Sequence, residues 1–154
     1  MTDNTVWCAT NNCLTALGGT MAEIKAGYDG TLYGLTSTGA LYTFTVAAGW
    51  VEAPSALQTA GGKCLAHISV ANASEVMALS SAASPANNVF VLDSGGTAWT
   101  ELSRRLSVAE IGADGSIWGM DSSNVIWSYV NGVWTDPPGQ LSNLAVSSAS
   151  EVMG

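Results

Sequence analysis

The side chains that could serve a ligand in this sequence are aromatic rings set beside acidic and glycine-bearing turns. Six tryptophans and four tyrosines fall in 154 residues. Tyr33 and Trp118 each stand one residue before a glycine, Gly34 and Gly119, and four residues after an aspartate of an Asp-Gly turn, Asp29 and Asp114. Glu75 and Glu151 recur inside two Ser-Glu-Val-Met segments, and Trp7 lies in a third aromatic stretch near the N-terminus. Flat rings suit the apolar C–H faces of sugars, and carboxylates beside them accept hydrogen bonds from hydroxyls. Asp29, Tyr33, Asp114, Trp118, Glu75, Glu151 and Trp7 are therefore the candidate ligand-binding set. A competing structural role is strongest for Trp50, Trp99 and Trp134, which recur late in each segment where they would fill the space between neighbouring sheets. The glycines would let a ligand, or the adjoining sheet, approach the backbone.

Other chemistry finds little support. There is a single histidine, His67, and no serine or cysteine set in a nucleophile elbow, so the chain is not expected to be an enzyme. Gly18-Gly19, Gly61-Gly62 and Gly95-Gly96 read as turns, because none follows a strand and opens a helix as a phosphate cradle must. No calcium loop or zinc spacing occurs, and no metal or cofactor is expected. Cys8, Cys13 and Cys64 are odd in number and read as reduced packing residues, with a Cys8–Cys13 disulfide as the sharper alternative. His67 reads as a satisfied hydrogen-bonding residue, and Arg104-Arg105 as an exposed connection. A net charge of −8 repels phosphate backbones, which argues against nucleic acid and anionic membrane surfaces. No signal segment or run long enough to insert in a bilayer is seen, so a cytoplasmic location is expected, with non-classical release left open.

These residues sit in repeated units. Ala109–Leu141 contains an Asp-Gly turn, an alternating strand around Trp118, a polar break, a second strand Val125–Tyr129, the Asn131-Gly132 hairpin signal and a closing Val133-Trp134-Thr135 before Pro137. That is four short antiparallel strands. Residues 22–57 follow the same order, with Ala22-Glu23-Ile24 matched to Ala109-Glu110-Ile111. Residues 65–102 are a looser copy with an insertion at 82–86. The ends supply a fourth: LAVSSASEVMG repeats the first two strands of the third copy, and the N-terminal stretch repeats its last two. Glu23 to Glu110 is 110 − 23 = 87 residues and Glu75 to Glu151 is 151 − 75 = 76, so the best matches lie two units apart. Roughly 40 residues per unit is propeller-blade length. The expected fold is all-β: one small propeller domain of four four-stranded antiparallel blades over 1–154 (144–154 with 1–20; 22–57; 65–102; 109–141). The ring would be pseudo-two-fold and closed by a blade shared between the termini, which removes exposed edges. Two chains building a larger ring, or another homo-oligomer, is the alternative.

Segments such as AGYDGTLYGLTSTGALYTF and GADGSIWGMDSSNVIWSYVNGVWTDPPGQL resemble tectonin-type β-propeller repeats. The third unit departs from that cadence, with Asn72-Ala73-Ser74 in place of Asp-Gly and Met77-Ala78 in place of the aromatic-glycine pair. The resemblance implies binding: several such propellers are lectins for glycans of foreign cells, in one fungal case methylated sugars, and others are intracellular adaptors. It points to a multivalent innate-defence lectin with glycans or glycoconjugates as partners. A non-catalytic protein-interaction scaffold is the second reading.

Overall fold

A computed structural model describes residues 5–10, 13–81, 88–139, 141 and 143–153, with the backbone alone for 5–10 and 13–18. The strands are β1 (Thr5–Thr10), β2 (Cys13–Thr20), β3 (Glu23–Ala26), β4 (Leu32–Leu35), β5 (Leu41–Thr45), β6 (Gly49–Glu52), β7 (Thr59–Ala60), β8 (Lys63–Val70) and β9 (Val76–Ser80). They continue as β10 (Asn88–Leu92), β11 (Trp99–Arg105), β12 (Val108–Ile111), β13 (Ile117–Met120), β14 (Ile126–Val130), β15 (Val133–Thr135), β16 (Ala145–Ser148) and β17 (Glu151–Met153). All described pairings are antiparallel and follow chain order. Sheet 1 is β3–β6 and sheet 3 is β12–β15; sheet 2 runs β8–β11 with the short β7 added beside β8. A two-stranded hairpin stands at each end, β1–β2 and β16–β17.

Turn chemistry fixes these pairings. Asn131 and Gly132 have φ of 51° and 83°, the positive pair that a two-residue hairpin between β14 and β15 requires. Asp29 and Asp114 accept from the amides of Thr31 (3.0 Å) and Ser116 (3.1 Å), folding the turn after the first strand of sheets 1 and 3.

The sheets pack face to face, as propeller blades do. Leu41, Ile68, Leu65 and Phe90 are buried between sheets 1 and 2, and Met77, Val89, Leu106 and Ile117 between sheets 2 and 3. Trp99 and Trp134 pack against these two cores, and Trp99 donates its indole N–H to the Leu57 carbonyl at 3.0 Å. Trp50 lies against the terminal side of sheet 1, where a Cβ on Gly19 would come within 3.1 Å of its ring. The three recurring tryptophans thus fill inter-sheet space. The two strand glycines also serve packing. A Cβ on Gly34 would meet Met21 Sδ at 2.8 Å and Trp50 Cζ3 at 2.9 Å, and one on Gly119 would meet the Val108 carbonyl oxygen at 2.5 Å.

Register corrects one alignment made from sequence. Lys25 pairs with Tyr33 and Glu110 with Trp118, so the partner of Glu110 in sheet 1 is Lys25, and Glu23 corresponds to Val108. The repeat between these sheets is 110 − 25 = 85 residues, and the 87-residue match slips by two. A slip of two keeps every side chain on its own face, which is why it looked consistent. Arg104 and Arg105 are also not in a connection: both belong to β11, with Arg104 stacked 3.1 Å above the Trp127 ring and Arg105 donating to Asn88. Residues 82–87, which contain the whole of the expected insertion at 82–86, lie outside the described residues. Among the described residues no helix is long and apolar enough to cross a membrane.

Candidate functional site

The first strands of neighbouring units lie beside one another, β8 against both β3 and β12 and β12 against β16, and register sorts their residues into layers. Lys25, Ser69, Glu110 and Ala145 each pair with the residue eight positions on, Tyr33, Met77, Trp118 and Met153, and so form one layer. Two residues earlier, Glu23, His67 and Val108 pair with Leu35, Leu79 and Met120 and form the next, with Asn143 the corresponding position before β16.

The two layers hold a continuous polar cluster. Lys25 Nζ lies 3.0 Å from Glu110 Oε1 and 3.6 Å from Glu23 Oε1. Ser69 donates its hydroxyl to Glu110 Oε2 at 2.5 Å and accepts from the Ile111 amide at 3.0 Å. His67 Nδ1 is 2.8 Å from Glu23 Oε1, and the Ile68 amide donates to Glu23 Oε2 at 3.1 Å. A β-bulge between Leu65 and His67 inserts the extra residue that turns His67 toward Glu23 and Glu110. Burial opposes ionisation of Glu23, but the hydrogen bond and charge of His67, the Ile68 amide and Lys25 outweigh it and hold the carboxyl below its ordinary 4.5.

The upper layer opens into a cleft of about 780 Å3 between sheets 1 and 2. Its walls are the Thr36–Ala40 turn, the starts of β3 and β8, and the end of β9. The polar groups presented are Glu23, His67, Thr36, Ser37, Thr38 and Ser81. Thr36 and Thr38 share a hydrogen bond between hydroxyls at 2.9 Å, and Thr36 also accepts from the Ala40 amide, which ties the turn together at the cleft mouth. The volume is that of a small-molecule site. Hydroxyls, a carboxylate and an imidazole make it a hydrogen-bonding site, and among the described residues no tryptophan, tyrosine or phenylalanine lines it.

Of the seven residues singled out from sequence, none of the six whose side chains are described lines this cleft. Asp29 and Asp114 sit at the opposite rim as equivalent latches between units: Asp29 Oδ2 accepts from the Ala73 amide at 3.0 Å, and Asp114 Oδ2 from the Ala149 amide at 2.8 Å. Beside them the Tyr28 amide donates to the Ala71 carbonyl and the Ala113 amide to the Ser147 carbonyl. Backbone donors hold Asp29 below the ordinary carboxylate value; for Asp114 burial opposes this, and Ser116 and Ala149 prevail. Glu75 accepts from Asn72 at 2.6 Å and lies against Gly115 of the next unit. Glu151 is exposed on β17. Tyr33 is buried between sheets 1 and 2, its hydroxyl pushed up by burial and by the charge of Asp29. Trp118 is half-buried on the opposite face of β13 from Ile117, and its enclosed indole N–H has no partner among the described residues. Trp7 lies on β1 opposite Ala16, and its side chain is outside the described ones. The same register sets Cys8 opposite Thr15 and Cys13 opposite Thr10, so the two cysteines do not face one another across the hairpin.

The cleft residues went unmarked in sequence because polar residues at alternate positions of a strand usually denote a solvated face. Aligning the units on their Asp-Gly turns would have exposed the signal. Opposite charges, Lys25 and Glu110, then stand at equivalent positions two units apart. Among the described residues no group of three or more histidine, cysteine and acidic side chains is arranged to hold a metal ion.

The Tectonin domain family model matches residues 64–154, more than half of the chain. No curated protein matches it.

Proposed function

The chain belongs to the Tectonin domain family, and from that premise we propose that it is a non-catalytic carbohydrate-binding protein whose glycan site is the cleft between sheets 1 and 2. The observation that carries the reading is the cleft itself: about 780 Å3, walled by hydroxyls, with Glu23 and His67 at its floor. Sugars offer many hydroxyls that need both donors and acceptors, and a preformed polar cleft supplies both. The acidic protein disfavours sulfated and other strongly anionic glycans, leaving neutral sugars as the expected class, among which the family resemblance points to methylated ones.

The reading includes a closed ring of four blades. Lys25 and Glu110, from units two apart, meet at 3.0 Å, a distance that a small ring allows across its axis. The C-terminal hairpin is latched to sheet 3 through Ala149 and Ser147, and the N-terminal hairpin reaches sheet 1 at Gly19 and Trp50. Pairing β17 with β1 would complete the fourth sheet, satisfy both free edges and cover the Trp118 face.

A glycan array that includes O-methylated sugars, probed with the whole protein, tests the function. Binding to neutral or methylated glycans is expected, followed by calorimetric titration to one site per chain. Silence across the array would sink the lectin reading and favour a protein-interaction scaffold. Solution mass and small-angle scattering separate a closed monomer from rings shared by two chains.

A further inference from the structure

His67 is the single histidine of the chain, and both of its ring nitrogens face acceptors. Nδ1 lies 2.8 Å from Glu23 Oε1 on sheet 1, while Nε2 lies 3.1 Å from the Ala109 carbonyl oxygen and 3.8 Å from Glu110 Oε1 on sheet 3. A neutral imidazole has one N–H and can donate to only one of these partners; the imidazolium donates to both.

We infer that His67 is the positioning residue of the cleft: as an imidazolium it bolts three sheets together and fixes the Glu23 carboxylate at the cleft floor, making ligand capture proton-dependent. The ligand half of this inference rests on the glycan-binding reading; the bolt rests on hydrogen-bond geometry alone.

The charges facing His67 are Glu23 and Lys25 from β3 and Glu110 from β12. Two carboxylates against one ammonium leave a net negative charge that the imidazolium neutralises. Burial disfavours the cation most strongly, but the hydrogen bond to Glu23 and the charges of Glu23 and Glu110 overcome it, and also overcome Lys25, so His67 titrates above its ordinary 6.5. A raised histidine contributes stability that is complete below 6.5 and fades as pH rises through the folded value. A depressed Glu23 contributes stability that is complete above 4.5 and is lost as pH falls through its folded value. Both are fully engaged between 4.5 and 6.5.

The device is not repeated across the pseudo-two-fold axis. Val108 stands where sheet 1 has Glu23, and Asn143 where sheet 2 has His67. The proton-dependent site is therefore one per chain.

Imidazole 15N NMR on the whole protein tests the bolt with no assignment ambiguity, because there is one histidine. Both nitrogens are expected to be protonated at about pH 6, with thermal stability highest in the 4.5–6.5 window and falling as pH rises. Titration with methyl glycosides of neutral hexoses, O-methylated forms included, should give roughly fivefold or greater tightening at about pH 6 relative to about pH 8. His67→Gln, which keeps a donor and cannot titrate, should bind with a flat pH profile, whereas His67→Ala should lose both binding and the stability window. A neutral, single-tautomer imidazole at about pH 6, or an unchanged pH profile in His67→Gln, overturns the inference. If no glycoside binds at either pH while the imidazolium and stability window appear, the bolt stands and the glycan reading falls. If glycosides bind with no pH dependence, the proton-dependent capture falls and the glycan reading stands.

Discussion

Gly39→Ala is expected to cost several kcal/mol of stability and to pry sheets 1 and 2 apart at the cleft mouth. Gly39 has φ +84°, a conformation in which a Cβ carries roughly 1–2 kcal/mol of strain. The new methyl would also stand 2.7 Å from the Leu65 carbonyl oxygen and 3.0 Å from Cys64 Cβ, both on sheet 2. Overpacking of this kind adds about 1–3 kcal/mol, because the obstacle includes backbone that cannot rotate away. The control is Gly30→Ala: its φ is the same +84°, but nothing lies within 4 Å of the added methyl. Urea denaturation of the two variants should show Gly39→Ala losing clearly more than Gly30→Ala. Equal losses would mean that the sheets do not meet at this turn as described.

Glu23→Ala should abolish most glycan binding. Glu23 is the one carboxylate lining the cleft among the described residues, and it is fixed by His67 on one oxygen and the Ile68 amide on the other. Loss of a hydrogen bond to a charged group is worth about 1.5–3 kcal/mol, or roughly ten- to a hundredfold in affinity. Asp114→Ala provides the contrast, since Asp114 latches the C-terminal hairpin at the other rim. Calorimetry should find its affinity within about twofold of wild type, while its melting temperature falls. The reverse pattern would move the site to the Asp-Gly turns.

The repeat was legible wherever turn chemistry dictates backbone. Asn131-Gly132 and the two Asp-Gly turns demand particular φ values or side-chain caps, and each stands where the sequence put it. The equivalence of Asp29 and Asp114 was also legible, and both latch to the following unit in the same way. What they latch was not, because an amide donor from a neighbouring turn leaves no mark in the sequence. The polar cluster was hidden for a related reason. Lys25, His67 and Glu110 are far apart in the chain and meet only because inner strands converge, with the bulge before His67 completing the geometry. The bulge itself is one extra residue, Ala66, which carries no turn signal. Trp99 and Trp134 pack against the inter-sheet cores and Trp50 lies against Gly34 and Gly19, as their late recurrence in each unit suggests, whereas Tyr33, read as a ligand residue, is itself buried in a core. Ring size suits wedge-shaped gaps between sheets as well as it suits sugar faces.

The proposed glycan site lies in the cleft between sheets 1 and 2, beside the Lys25, His67 and Glu110 cluster. The most direct measurement is an NMR titration of the whole protein with a glycan that scores on the array, following the His67 ring, the tryptophan indoles and the backbone amides together. The account predicts that the His67 ring and the amides of Thr36, Ser37, Thr38 and Ser81 shift together and saturate at about one ligand per chain. Shifts concentrated at the Asp29 and Asp114 turns or at the Trp118 indole, with the His67 ring unmoved, would contradict it.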